Sequence, residues 1–215
     1  VLERVSLRTE SGRLAAALFL PDCQGPSPAL VLCHGAFEAK ESLFGLCEAL
    51  RKGGLAALAL DMSCHGESDG ERWHVDIGDW AKDLQTALDF LERLPRVDGS
   101  RLGAFGFSSG GTAVLEAALV DPRIKALAVL AATVRNVAGI FQNAALRLLV
   151  GLGRASLALR GCDLRVSFLG GLPRTQLVFD PEINRSLLAD PWLRTAYAQI
   201  PFPGSAGCYF TDTLS

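Results

Sequence analysis

Gly106-Phe107-Ser108-Ser109-Gly110-Gly111 is the stretch of this chain whose residue types and spacing promise chemistry. The serine follows the apolar run LGAFGF (102–107) and precedes the helix-like TAVLEAALV. That is the pattern of a nucleophile elbow, in which a strand turns sharply into a helix with the hydroxyl at its apex. The turn is tight enough that side chains at Gly106 or Gly110 would clash. The helix N-terminus behind the serine favours negative charge as it develops. Ser108 is therefore the expected nucleophile of an acyl transfer through an acyl-serine.

Such chemistry needs two donors aimed at the oxyanion. One is expected to be the backbone N–H of Ser109, the residue after the nucleophile. The other is expected from His34-Gly35-Ala36-Phe37, which ends the apolar run ALVLC (29–33), with the N–H of Ala36 as donor. His34, Gly35, Gly106 and Gly110 are the supporting motif residues. Taken alone, His34-Gly35 reads equally well as a plain turn holding a buried histidine. A third motif, Asp61-Met62-Ser63-Cys64-His65-Gly66-Glu67-Ser68-Asp69-Gly70, follows the run LAALALD (55–61).

The elements that must position these residues alternate along the chain. ERVSLRT and RLAAALFL read as two antiparallel strands joined at Glu10-Ser11-Gly12. ALVLC, LAALALD, LGAFGF and KALAVLA (125–131) are short continuous apolar runs, as in strands buried on both faces. Between them lie helical stretches at Lys40–Gly53, at Asp76–Leu94 (Ile77, Trp80, Leu84, Leu88 and Leu91 at helical spacing) and at Gly110–Val120. This predicts an α/β protein with a mostly parallel sheet and helices on both faces. From Thr133 the rhythm breaks into helix-like pieces punctuated by glycine and proline, with no buried strand in 134–205. We expect a core over 1–132, a helical cap inserted after the sixth strand over 133–208, and the start of a return to the core over 209–215.

A net charge of −2 with 20% charged residues gives no basic surface for nucleic acid. The six cysteines form no CxxC or Cys/His pattern, so neither metal nor cofactor is expected, and they are expected as thiols of a cytoplasmic protein. The chain opens VLERVSLRTE, without a signal peptide or an initiator methionine, and residues are expected upstream. Val137–Leu159 is interrupted by Gln142, Asn143, Arg147 and Arg154, which excludes stable membrane insertion. Arg135, Arg147, Arg154 and Arg160, with no acid among them, suit a lid that touches lipid interfaces. The favoured reading is cap helices with those arginines in solvent.

Strand-HGxxxxKE, strand-D-xxx-HGxSDG and strand-GxSxGG, in this order over residues 5–132, resemble the α/β-hydrolases of the cinnamoyl-esterase and monoglyceride-lipase group (lysophospholipase-like, serine aminopeptidase-like). Phe179-Asp180 and Ala189-Asp190-Pro191-Trp192 extend the likeness loosely into the cap. The resemblance implies an α/β-hydrolase fold and a serine esterase acting on an acyl ester or thioester. It makes His65 a loop-fixing residue, not the base. It also places the acid and the histidine of the triad after Ser108. All three histidines here (His34, His65, His74) precede Ser108, so the C-terminal strands and the triad partners are expected to be missing from these 215 residues. The sheet is then expected to end in an open edge at residues 125–131, completed by another chain or a further segment. Alternatives kept open are a thioesterase or acyltransferase of the same fold, and a non-catalytic ligand-binding relative.

Overall fold

The computed structural model describes residues 2–10, 12–36, 38–70 and 74–132, with short pieces at 148, 151–152, 155–156, 158–160, 165–167 and 207–209. The chain divides into two compact units, Val1–Gly139 and Ile140–Ser215. Among the described residues the first holds six strands: β1 (Leu2–Thr9), β2 (Gly12–Phe19), β3 (Ser27–Cys33), β4 (Ala56–Leu60), β5 (Val97–Phe107) and β6 (Ile124–Leu130). Its helices are α1 (Phe44–Lys52), α2 (Ile77–Glu92) and α3 (Ser109–Val120). Spatial order in the sheet is β1-β2-β4-β3-β5-β6. β1 and β2 pair antiparallel, as do β2 and β4; β4, β3, β5 and β6 run parallel. This strand order, with its parallel core and antiparallel N-terminal strands, is that of an α/β-hydrolase fold.

Alternation along each strand divides the core into two layers. Ala56, Leu58 and Leu60 of β4, with Val31 and Cys33 of β3, join Trp80, Leu84, Leu88 and Leu91 of α2 and Val114 and Ala117 of α3. Ala57 and Ala59 of β4 and Leu32 of β3 join Leu43 and Cys47 on the opposite face, beside α1. The expected helices on both faces are there because successive residues of each buried strand serve opposite layers.

Local differences from the sequence reading have local causes. Lys40–Leu43 is a 3-10 turn, and the α-helix starts only at Phe44. α2 begins at Ile77, where Asp76 caps it by accepting from the Asp79 N–H at 3.0 Å. β5 starts five residues before LGAFGF, because Val97–Arg101 is mostly polar and only partly covered, and so lacks the apolar signature of a buried strand. In the second unit Arg165–Ser167 (β7) pairs antiparallel with Gly207–Tyr209 (β8). The sequence reading puts no strand before 206 there and points 209 back toward the core. Strands of three residues are too short to carry a periodic pattern. The rest of the expected cap and of 209–215 lies outside the described residues.

β6 is the last strand on its side of the sheet and pairs with β5 alone among the described residues. Its composition is that of a buried strand, yet Leu127 and Leu130 are 43% and 58% exposed. Two leucines of one sheet therefore make opposite contributions. Leu58→Ala, at a fully buried position, is expected to cost about 3 kcal/mol in urea unfolding. Leu127→Ala is expected to cost less than about 1 kcal/mol. Equal losses would show that β6 is covered in solution.

Candidate functional site

Ser108 joins β5 to α3 and takes φ 52°, ψ −121°, a conformation sparsely populated by residues with a side chain. Such strain costs about 1–3 kcal/mol and persists only where the surroundings over-determine it. Here the Ser108 N–H donates to the Leu130 carbonyl at 2.9 Å and its own carbonyl accepts from Thr112 at 3.2 Å. The neighbouring glycines are required by contact and not by backbone angle. A Cβ on Gly106 would collide with the Gly110 carbonyl, and one on Gly110 with the His34 carbonyl. One on Gly111 would lie 2.8 Å from Val129 Cγ1 and 2.9 Å from Ala132 Cβ. The N-terminus of α3 is thus pressed onto the ends of β3 and β5.

The loop after β3 lies against the same serine. A Cβ at Gly35 would stand 3.1 Å from the Phe107 ring and 3.2 Å from Ser108 Cβ. The Gly35 N–H donates to Glu38 at 3.2 Å, and the Gly35 carbonyl accepts from the Glu38 N–H at 3.4 Å. Phe37 lies outside the described residues. Ser109 is the first residue of α3, so its N–H has no acceptor within the helix.

His34 is fully buried and engaged at both ring nitrogens. Nε2 accepts from the Met62 N–H at 3.1 Å, so Nδ1 carries the hydrogen and donates to the Gly35 carbonyl at 2.7 Å. Burial pushes its pKa down to about 4; the bond to Gly35 only partly opposes this, and the Lys40 charge adds to it. A neutral ring with both nitrogens occupied has no lone pair to take a proton from Ser108. His65 is buried as well, its Nδ1–H donating to the Ser63 carbonyl at 3.1 Å and its ring standing edge-on to Trp80 with centroids 5.0 Å apart.

Lys40, Asp61 and Glu67, which the sequence motifs contain without assigning them a role, organise the loop after β4. Asp61 is fully buried, and its carboxylate accepts from the Lys40 N–H at 2.8 Å, Lys40 Nζ at 2.6 Å and the Glu67 N–H at 2.8 Å. Gly66, at φ 51°, is needed beside it because a Cβ there would run into that carboxylate. Burial disfavours the Lys40 ammonium, but hydrogen bonds to Asp61 and Glu67 outweigh this and hold its pKa above the ordinary lysine range. The same loop is stitched to β2. Asp61 N–H donates to the Ala15 carbonyl at 2.8 Å, Asp69 N–H to the Arg13 carbonyl at 2.8 Å, and Ala15 N–H to Ser68 Oγ at 2.9 Å.

Asp83, buried on α2, accepts from the Ser63 N–H at 2.8 Å and from Ser63 Oγ at 2.9 Å. Trp80, one turn earlier, donates its indole N–H to the Ser63 carbonyl at 3.3 Å. A tryptophan and an aspartate three residues apart on an otherwise apolar helix face are the sequence signal that could have revealed this brace. Among the described residues no group of three or more His, Cys, Asp or Glu is disposed to hold a metal. Cys33 and Cys47 are buried thiols whose pKa values burial raises, to about 12 for Cys47, which leaves them unreactive.

Burial raises the Asp83 pKa to about 6 against the opposing bonds from Ser63. Two buried groups therefore give stability opposite slopes with pH. Between about pH 4 and 6.5 the unfolded chain carries a proton on His34 that the native chain lacks, so this contribution is complete at neutral pH and lost on acidification. Between about pH 4 and 6 the native chain carries a proton on Asp83 that the unfolded chain lacks, so this contribution is complete in acid and lost as pH rises. Each amounts to about 3 kcal/mol. Asp83→Asn is expected to gain about 3 kcal/mol relative to wild type between pH 4 and 6.5 in urea unfolding. Parallel pH curves for the two proteins would contradict it.

Known proteins share this architecture. Over residues 24–201 the chain matches the model of the family described as serine aminopeptidase, S33. It is 39% identical over 119 residues to the uncharacterized protein PA2218 of Pseudomonas aeruginosa, covering 53% of this chain and 32% of that one. It is 32% identical over 121 residues to the thiohydrolase aneE of Aspergillus aculeatus, covering 55% of this chain and 37% of that one. The chain thus aligns with about a third of the length of either relative. The crystal structure of the α/β-hydrolase GrgF from Penicillium sp. sh18 superposes with a TM-score of 0.75 at 22% identity, covering 96% of this chain and 70% of the other, a likeness of fold. The chain belongs to the serine aminopeptidase S33 family of α/β-hydrolases.

Proposed function

We propose that this chain carries the nucleophile and oxyanion donors of a serine hydrolase that cleaves a small-molecule carboxylic ester through an acyl-serine. The observation that carries the reading is the strained Ser108, held between β5 and the N-terminus of α3 with Gly35 against its Cβ. Ser108 Oγ attacks the acyl carbon, and the Ala36 and Ser109 N–H groups stabilise the oxyanion. The alcohol leaves with a proton, and water then releases the acid and regenerates the serine. His34 and His65 are structural in this scheme, and the proton acceptor is another group, supplied from outside the described residues. Thiols outside any disulfide at Cys23, Cys33 and Cys47 suit a reducing compartment such as the cytoplasm.

A thioester substrate is the second reading, favoured by the likeness to a thiohydrolase. The same attack and the same oxyanion serve both substrates, and only the leaving group differs.

The test uses an alkyl boronic acid, which adds reversibly to a serine hydroxyl and places a tetrahedral anion where the oxyanion would form. Boron NMR is expected to show a tetrahedral adduct with the wild-type chain and none with Ser108→Ala, at unchanged thermal stability. An adduct that survives the substitution would assign the chemistry elsewhere; no adduct with wild type would favour a ligand-binding protein without a working nucleophile.

A further inference from the structure

A continuous hydrogen-bonded path runs from α2 to the peptide beside Ser108, and the proposed chemistry does not use its far end. Asp83 binds both donors of Ser63, its N–H at 2.8 Å and its hydroxyl at 2.9 Å. The next N–H back along the chain, that of Met62, donates to His34 Nε2 at 3.1 Å. The opposite nitrogen of that ring donates to the Gly35 carbonyl at 2.7 Å. Gly35 C=O and Ala36 N–H belong to one planar trans peptide, so fixing the carbonyl toward the ring turns the Ala36 N–H to the opposite side. We propose that Asp83 is a positioning residue for the Ala36 N–H, acting through Ser63, Met62 and the His34 ring without touching substrate.

The geometry explains why the path needs an aspartate at its origin. Ser63 presents two donors on one side and a carbonyl on the other. The carbonyl is held by Trp80 Nε1 at 3.3 Å and His65 Nδ1 at 3.1 Å. A carboxylate is acceptor-only and takes both donors at once, whereas an amide offers one acceptor and one misplaced donor. With Ser63 fixed on both sides, the Met62 N–H keeps one direction, and His34 keeps its hydrogen on Nδ1. Without Asp83 two half-buried donors of Ser63 lose their acceptor. The Met62–Ser63 segment then reorients, and the ring can exchange tautomers. A Gly35 carbonyl facing a bare Nδ1 would have no reason to hold its orientation. Glu38 braces the same loop locally, through the Gly35 N–H at 3.2 Å and the Gly35 carbonyl at 3.4 Å. That brace fixes the turn; the His34 bond fixes the plane of the following peptide.

This inference rests on the proposed role of Ala36 as an oxyanion donor, so its test has two independent readouts on the 215-residue chain. The first is the long-range ¹⁵N–¹H spectrum of the His34 ring, which reports where the ring hydrogen sits. Wild type is expected to show one tautomer, protonated at Nδ1. Asp83→Ala is expected to show averaging between tautomers, and Asp83→Asn, which keeps one acceptor, to lie between the two. The second is boronic-acid affinity, expected to fall at least tenfold in Asp83→Ala, to recover partly in Asp83→Asn, and to stay within twofold of wild type in Asp79→Asn on the exposed face of the same helix. Thermal melting identifies a variant that fails to fold, and Asp83→Asn then decides. An unchanged His34 spectrum overturns the brace, and so does unchanged boronate affinity beside an altered spectrum. If wild type binds no boronate, the proposed function fails, and the His34 spectrum judges the hydrogen-bonded path by itself.

Discussion

Close approach of backbone to backbone, where the start of α3 meets the ends of β3 and β5, is the constraint on which the rest of the structure depends. Three glycines permit it, and each is excluded from bearing a side chain by atoms of a different neighbour: a helix carbonyl for Gly106, the Cys33 and His34 carbonyls at the end of β3 for Gly110, and β6 with Ala132 for Gly111. Because the contact is made by rigid elements, the serine between them has no freedom to relax from φ 52°. A site on such elements is held more closely than one on loops alone.

Around this contact the molecule places two buried polar assemblies with different physics. The Asp61–Lys40 pair is a full ion pair in the core, at 2.6 Å, and every close partner of it is charged or a backbone amide. Removing Lys40 would leave the buried Asp61 carboxylate without a cation, whereas removing Asp61 would leave Lys40 still paired with Glu67 and Glu41; the first loss is the costly one. The Asp83–Ser63–Met62–His34 path carries at most one formal charge and relies on direction. Its strength lies in fixing which way hydrogens point, a property that burial increases because water is not there to offer alternatives.

The strand–turn–helix around Ser108 and the succession of strands and helices along the chain were legible because they are written in short-range signals. Glycine spacing around Ser108, the continuous apolar runs of β3, β4 and β6, and the helical spacing from Ile77 to Leu91 are each contained within one short stretch of chain. That β6 stands last in the sheet among the described strands was an expectation from the family resemblance alone, since KALAVLA by composition asks to be covered. The polar braces were not legible. Lys40 and Asp61 are 21 residues apart, and Ser63 and Asp83 are 20 apart. Each joins elements whose adjacency comes from the fold and not from local pattern. His34 was visible as a motif residue, but its neutral, doubly bonded state depends on the backbone N–H of Met62, a donor to which the motif containing it assigns no role. The boundaries missed at Lys40 and Val97 are places where polar residues carry secondary structure for tertiary reasons.

The stitching of β2 to the loop after β4 bears on how this molecule could be cut. Residues 12–19 are a stretch that a truncation series would remove early, since they lie far along the chain from Ser108 and form the second strand of the hairpin at the sheet's margin. Yet the Arg13 and Ala15 carbonyls are the acceptors for Asp69 and Asp61, and the Ala15 N–H is a donor to Ser68, whose hydroxyl in turn donates to the Asp61 carbonyl at 2.6 Å. Deleting that strand would strip partners from the loop that also presents Met62 to His34. The smallest fragment able to keep the serine's surroundings in order therefore begins at the hairpin, not at the first parallel strand.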